Sequence, residues 1–160
     1  MNIKQVLSLL GLVIVLFSTA WFAQACKKKT DGGANSAASS ADQPQKIKVQ
    51  HILIAFKGTI PGQERSKEDA EKLAKELFEK SKAAGADFEA LVKEYSSDRP
   101  PGVYELTNFG TTAEAGSFAR DQMVPAFGDV GFTLKVGEVG LANFDAQKSP
   151  FGFHIIKRLN

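Results

Sequence analysis

An uncharged, largely apolar stretch runs from Val6 to Ala25, and Cys26 follows it at once. That stretch removes the N-terminal end of this 160-residue chain from any globular fold. Lys4 is the only charge ahead of it, and Ala23-Gln24-Ala25 has the small-x-small form of a secretory cleavage site. Three readings compete. The segment is a lipoprotein signal cut before Cys26, whose thiol is then acylated. Or it is cut after Ala25, leaving an unmodified Cys26. Or it stays as an anchor, since about 20 apolar residues cross a bilayer. Ala23 and Gln24 match the usual lipoprotein box poorly, yet Cys26 lies between an apolar run and Lys27-Lys28-Lys29, no place for a core residue. All three readings put the rest of the chain outside the cytoplasm. Residues 1–25 are expected to be a signal peptide, with Cys26 as its lipidation site, facing the periplasm from the inner or outer membrane.

Residues 26–44 carry no large apolar side chain. Such a segment cannot offset its own ordering entropy and reads as a flexible tether. At random-coil dimensions 18 residues reach roughly 24 Å. The three lysines either meet anionic lipid head groups or are simply solvated.

The working domain is then 45–160. Lys4, the lysine triplet, Asp31 and Asp42 account for the whole net charge of +2, so the domain itself is neutral. A neutral domain has no field to draw in a nucleic acid, and none is expected as a partner. The single cysteine lies in the tether, which excludes a disulfide, a thiolate zinc site and thiol catalysis inside the domain.

Alternation from Lys46 to Phe56 predicts a strand. Ser66 and Asp69 resemble a capping box, and Ala70, Leu73, Ala74, Leu77 and Phe78 form one helical stripe up to Gly85. Asp87 can cap a second helix that buries Phe88, Leu91, Val92 and Tyr95. Residues 96–115 read as a long loop. A short strand is predicted at 116–119, a short helix from Pro125 to Phe132, and strands at 141–144 and 151–159. The expected fold is α+β: a small four-stranded, mainly antiparallel sheet with about four helices packed around it, in the order β-ααα-β-α-β-β. The pattern puts those helices against one face.

Few residues here can carry chemistry. The two histidines, His51 and His154, both fall inside predicted strands, and the alternation lets both imidazoles project from one face. A strand histidine is as readily structural as functional. Gly-x-Ser-x-Gly and phosphate-binding glycine loops are absent, and two histidines without an acidic cluster make a weak metal site. Phe118, Met123, Phe127, Phe132, Phe151 and Phe153 concentrate apolar surface in the C-terminal half. They read as core, except that Met123 and Phe127 flank Pro125 where a groove for an apolar ring is possible.

Four segments in order then resemble the parvulin-type peptidyl-prolyl cis-trans isomerases. They are Val49-Gln50-His51-Ile52-Leu53-Ile54; Phe88-Glu89-Ala90-Leu91-Val92 with Glu94-Tyr95-Ser96; Gly116-Ser117-Phe118-Ala119-Arg120-Asp121-Gln122-Met123-Val124-Pro125-Ala126-Phe127; and Ser149-Pro150-Phe151-Gly152-Phe153-His154-Ile155-Ile156-Lys157. The resemblance implies that His51 and His154 are the paired histidines of an active site. It implies that Ser149 is hydrogen-bonded to them and that Asp98 lies beside the substrate amide. It makes Met123 and Phe127 the pocket for the proline ring, with Gln122 beside them and Ala115 where the family has an apolar wall. The implied partners are unfolded or extended X-Pro polypeptides, with no cofactor and no metal, and a monomer.

The chain departs from the family at three places. The stretch 98–116 is longer than usual, with 103–109 as the apparent insertion, a lid or an extra hairpin. Ala115 replaces a leucine. After the first strand only Lys57, Arg65 and Lys67 are basic, which suits an unphosphorylated X-Pro, with apolar X, better than a phosphorylated one. Two functions therefore stand: a tethered prolyl isomerase assisting exported proteins, and a non-catalytic chaperone or docking module on the same fold.

Overall fold

The computed structural model of the chain describes residues 43–160. Cys26 and the segments 1–25 and 26–42 lie outside the described residues. Strand β1 is Lys46–Ile54, followed by helices α1 (Lys67–Lys82) and α2 (Phe88–Tyr95), strands β2 (Val103–Thr107) and β3 (Ser117–Ala119), helix α3 (Pro125–Thr133), and strands β4 (Val139–Ala142) and β5 (Phe153–Arg158). The sheet order is β3-β2-β1-β5-β4. All neighbours are antiparallel except β2 and β3, which run parallel.

The helix starts follow the local chemistry. The Ser66 hydroxyl accepts the Asp69 amide at 3.0 Å, and the Asp87 carboxylate accepts the Ala90 amide at 2.9 Å. Each satisfies one of the amide groups a helix start leaves open.

Alternation splits the central strands between two cores. Ile52 and Ile54 of β1 and Phe153 and Ile155 of β5 pack under α1 and α2, against Ala70, Ala74, Leu77, Phe88, Leu91 and Val92. Ile47 and Val49, with Leu106 of β2 and Ile156 of β5, face α3 and meet Phe127 and Phe132. The helices therefore cover both faces of the sheet, where the sequence pattern put them on one. Among the described residues no helix is long and apolar enough to cross a membrane.

Two further expectations are corrected. The sheet has five strands, not four, and two α-helices, not three, separate β1 from the next strand. The fifth strand is β2, inside the stretch read as loop and insertion. It is no lid: Val103 pairs with Gln50 and Thr107 with Lys46, and Leu106 and Thr107 are buried. Its five residues alternate, but Pro100-Pro101-Gly102 before it and Gly110 after it carry stronger loop signals. β4 also begins two residues before the predicted strand, at Val139, because the Gly137 turn ties Arg158 back to Glu138.

Candidate active site

Register places the two histidines. His51 lies opposite Ile156, and His154 lies opposite Leu53, so both side chains leave the central β1–β5 pair on the face that carries α3. Their Nδ1 atoms are 3.2 Å apart and the ring planes differ by 14°. Both residues are buried.

Asp98 reaches His51 by a different device. Pairing with β2 ends at Gln50, and residues 96–102 then continue along the freed edge of β1. The His51 amide donates to the Gly102 carbonyl (2.9 Å), the Ser97 amide to the Leu53 carbonyl (2.7 Å), and the Leu53 amide to the Ser96 hydroxyl (3.1 Å). Gly102 has φ +63°, and a Cβ there would lie 2.7 Å from the His51 carbonyl oxygen, so no other residue suits this close approach. The loop delivers Asp98 Oδ2 to 2.9 Å from His51 Nε2. The Tyr104 hydroxyl donates to the same oxygen at 2.6 Å, and the Arg99 amide donates to Oδ1 at 2.8 Å.

These donors decide the charge state. The His51 hydrogen bond, aided by Tyr104 and the Arg99 amide, holds the Asp98 carboxyl well below the usual carboxylate range although burial opposes it. Burial foremost, and then the hydrogen bond to Asp98 and the charge of that carboxylate, push Tyr104 up to about 12. Burial, with His51 next to it, pushes His154 down to about 3. Asp98 is thus an ionised acceptor, Tyr104 a neutral donor and His154 a neutral ring near pH 7.

A carboxylate can only accept, so His51 Nε2 carries a proton. Neutral His51 then accepts at Nδ1, and His154 donates from Nδ1. That leaves His154 Nε2 as a bare acceptor, and it is the buried histidine nitrogen without a hydrogen-bond partner. An unpaired acceptor there costs less than an unpaired N–H.

A cavity of about 280 Å³ opens over this network. Its polar side is His51, His154, Asp98 and Tyr104, and its walls are Leu53, Ile60, Met123, Val124, Phe127 and Phe151. Phe127 stands edge-on to His51, His154 and Tyr104, with ring centroids 5.1, 5.6 and 6.0 Å away. A larger opening of about 470 Å³ shares no residue with the histidines and is lined by groups such as Ser81, Lys82, Glu138 and Lys157. It lacks the convergent apolar walls of a ligand pocket. Among the described residues no three His, Cys, Asp or Glu side chains are grouped to hold a metal ion.

The segment bearing Met123 is anchored by Arg120. Its guanidinium donates to Gln43, Asn108 and Asp129 at 2.7, 3.0 and 2.7 Å and lies 4.8 Å from the centroids of both Phe109 and Phe132.

Of the residues singled out in the sequence, His51, His154, Asp98, Met123 and Phe127 come together around the cavity. Three do not. The Ser149 hydroxyl donates to the Gly152 carbonyl at 2.9 Å rather than to an imidazole, closing the turn ahead of β5. Gln122 is exposed and accepts the Ala119 amide at 3.3 Å. Ala115 is exposed and outside the cavity lining, where Tyr104 and Ile60 supply apolar wall. Tyr104 is the residue that sequence reasoning missed. The alternation of Val103-Tyr104-Glu105-Leu106-Thr107 was the available signal.

Comparison with known proteins adds to this geometry. A family model described as a PPIC-type PPIASE domain matches residues 35–160. The chain is similar to the peptidyl-prolyl cis-trans isomerase ESS1 of Saccharomyces cerevisiae, 34% identical over 127 residues, covering 74% of this chain and 68% of that protein. It is similar to the foldase protein PrsA of Bacillus subtilis, 35% identical over 114 residues, covering 71% of this chain and 30% of that protein. The chain thus matches less than a third of that foldase's length. Among solved structures, the peptidyl-prolyl isomerase ESS1 from Candida albicans shares the fold, with a TM-score of 0.55 at 21% identity over 72% of this chain and 63% of that one.

Proposed function

This chain belongs to the PpiC-type, or parvulin, family of peptidyl-prolyl cis-trans isomerases, and on that premise we propose that the cavity over His51 and His154 catalyses rotation about X-Pro bonds in unfolded or extended polypeptides. One observation carries the reading. A small apolar pocket walled by Met123 and Phe127 has as its floor two buried histidines and an ionised carboxylate, already bonded to one another.

That arrangement suits the chemistry. Amide resonance sets a barrier of about 18–20 kcal/mol, and uncatalysed X-Pro exchange takes tens to hundreds of seconds. About 100 turnovers per second would require removing roughly 5–6 kcal/mol. No covalent bond breaks, so the protein supplies environment alone. Met123, Phe127 and Phe151 hold the proline ring while the preceding carbonyl swings. Removing water disfavours the polar planar amide relative to the twisted one. A pre-set polar floor adds binding that is stronger for the twisted state than for either planar isomer. His51 and His154 give that floor its shape, and Asp98 gives it its charge. Neither histidine acts as a nucleophile.

The same surface supports a preference for unphosphorylated substrates. The cavity is lined by one carboxylate and no lysine or arginine. A dianionic group at X would meet Asp98 with no lysine or arginine in the cavity lining to offset it.

We place this activity outside the cytoplasm, tethered through Cys26 after cleavage of residues 1–25, where it assists the folding of exported proteins. The apolar run, Ala23-Gln24-Ala25 and the tether composition support that placement. Mass spectrometry of membrane-extracted protein tests it: a diacylated or triacylated N-terminal Cys26 is expected, and an unmodified Cys26 contradicts it. The activity itself is tested by refolding a protein whose slow phase is limited by an X-Pro bond, and one without proline. The full chain should accelerate the first alone. A pure binding module would treat both alike.

A further inference from the structure

We infer that Tyr104 is a positioning residue for this site: its hydroxyl holds the Asp98 carboxylate against His51 Nε2 and thereby fixes the ring angle and tautomer of His51. The kinetic part of this inference rests on the isomerase reading; the structural part does not.

The geometry separates two jobs in one side chain. The ring of Tyr104 belongs to the cavity wall, edge-on to His51 at 5.4 Å and 78° and to Phe127 at 6.0 Å and 83°. The hydroxyl belongs to Asp98, at 2.6 Å from Oδ2. Strand β2 makes both possible, because Tyr104 pairs with Val49 and so stands on the same face as His51, one side-chain step away along the sheet.

Asp98 needs such a partner. It sits on a loop, and its side chain is 29% exposed. With the Arg99 amide alone on Oδ1, the carboxylate could turn Oδ2 toward water. Tyr104 and His51 converge on Oδ2 and stop that rotation. A fixed carboxylate in turn obliges His51 Nε2 to donate, and in the neutral ring His51 Nδ1 then faces His154 as an acceptor. The groups that face Asp98 are His51 from β1, Tyr104 from β2 and its neighbour Arg99, with His154 of β5 behind His51. The α3 side contributes Met123, Val124 and Phe127, none of which titrates. Tyr104 thus makes the one removable hydrogen bond to the Asp98 carboxylate that leaves both histidines and the backbone untouched.

The test uses the full chain with 15N-labelled histidine, as wild type, Tyr104→Phe, Asp98→Asn and the double variant. In the wild type the ring nitrogens of neutral His51 should report a single tautomer, with a slowly exchanging Nε2 proton. Tyr104→Phe should give a mixed tautomer and faster exchange of that proton. On an Ala-Pro peptide its kcat should fall about tenfold with KM within about twofold, because the ring wall remains. The acid limb of its pH–rate profile should move upward. In the Asp98→Asn background, Tyr104→Phe should have almost no further effect. Unchanged tautomer, proton exchange and pH profile in Tyr104→Phe would overturn the inference whatever happens to its melting temperature, and so would additive losses in the double variant. If the wild type itself fails to catalyse exchange, the isomerase reading falls, and the tautomer and proton-exchange comparison still decides the role of Tyr104.

Discussion

His51 and His154 meet Nδ1 to Nδ1 at 3.2 Å across the central strand pair, one ring bonded onward to Asp98 and the other ending in a buried nitrogen without a partner. This one contact joins the two ends of the domain's sequence at the pocket floor. The behaviour expected of the molecule follows from it.

Acid should destabilise the fold through His154. Its folded pKa, about 3, lies below the ordinary value of about 6.5. Above that ordinary value the neutral ring contributes fully. As the pH falls below it, the unfolded chain takes up a proton that the folded site refuses, and stability is lost progressively toward the folded pKa. Asp98, also lowered, adds a loss of the same sign only below about pH 4. The melting temperature should drop by about 5 °C or more between about pH 7 and pH 4.5. His154→Gln should flatten that part of the curve, and an equal slope in the variant would contradict the assignment.

Met123→Ala should separate binding from folding. Met123 is half-buried and lines the cavity, whereas Phe127 is 1% exposed and belongs to the core as well. Met123→Ala should raise KM for X-Pro peptides several-fold and shift the melting temperature by only about 3 °C. Phe127→Ala should cost about 3–5 kcal/mol of stability in addition to activity. Melting curves and exchange kinetics on both variants check this.

Gly102→Ala should damage the site from a distance. Its added methyl would press on the His51 carbonyl from a left-handed backbone position. The strain, about 1–3 kcal/mol, should be relieved by lifting the Asp98 loop off β1. Activity should fall more than Ala substitution at Gly62, which has a similar φ of +82° and no atom within 4 Å of the added methyl. Equal losses in the two variants would argue against the loop as the means of placing Asp98.

A phosphorylated Ser-Pro peptide should be turned over more slowly than its unmodified form, by about tenfold or more, because the ionised Asp98 faces the cavity without a lining lysine or arginine. Asp98→Asn should narrow the gap. Parallel exchange measurements on the two peptides decide it, and faster turnover of the phosphopeptide would contradict the electrostatic reading.

The central strand pair, both helix caps and the shared face of the two histidines were legible in the sequence, because alternation in β1 and β5 and the Ser66 and Asp87 caps are local signals that tertiary structure left intact. Strand β2 was not, since two prolines and two glycines flank a segment whose pairing with β1 is a long-range event. With β2 went Tyr104. Ser149 was misplaced within the site for another reason. A buried hydroxyl bonds whichever acceptor its turn presents, and the Gly152 turn, with φ +137°, presents a carbonyl. Ala115 and Gln122 are close in sequence to the pocket segment, but they lie on its exposed side.

The most direct measurement is exchange spectroscopy on a panel of X-Pro peptides with the full chain, its His51→Ala variant and its Met123→Ala variant. Catalysed cis-trans exchange by the parent, reduced at least tenfold in His51→Ala and partly in Met123→Ala, is the predicted result. Exchange at the uncatalysed rate across the whole panel, with the parent folded, would contradict it.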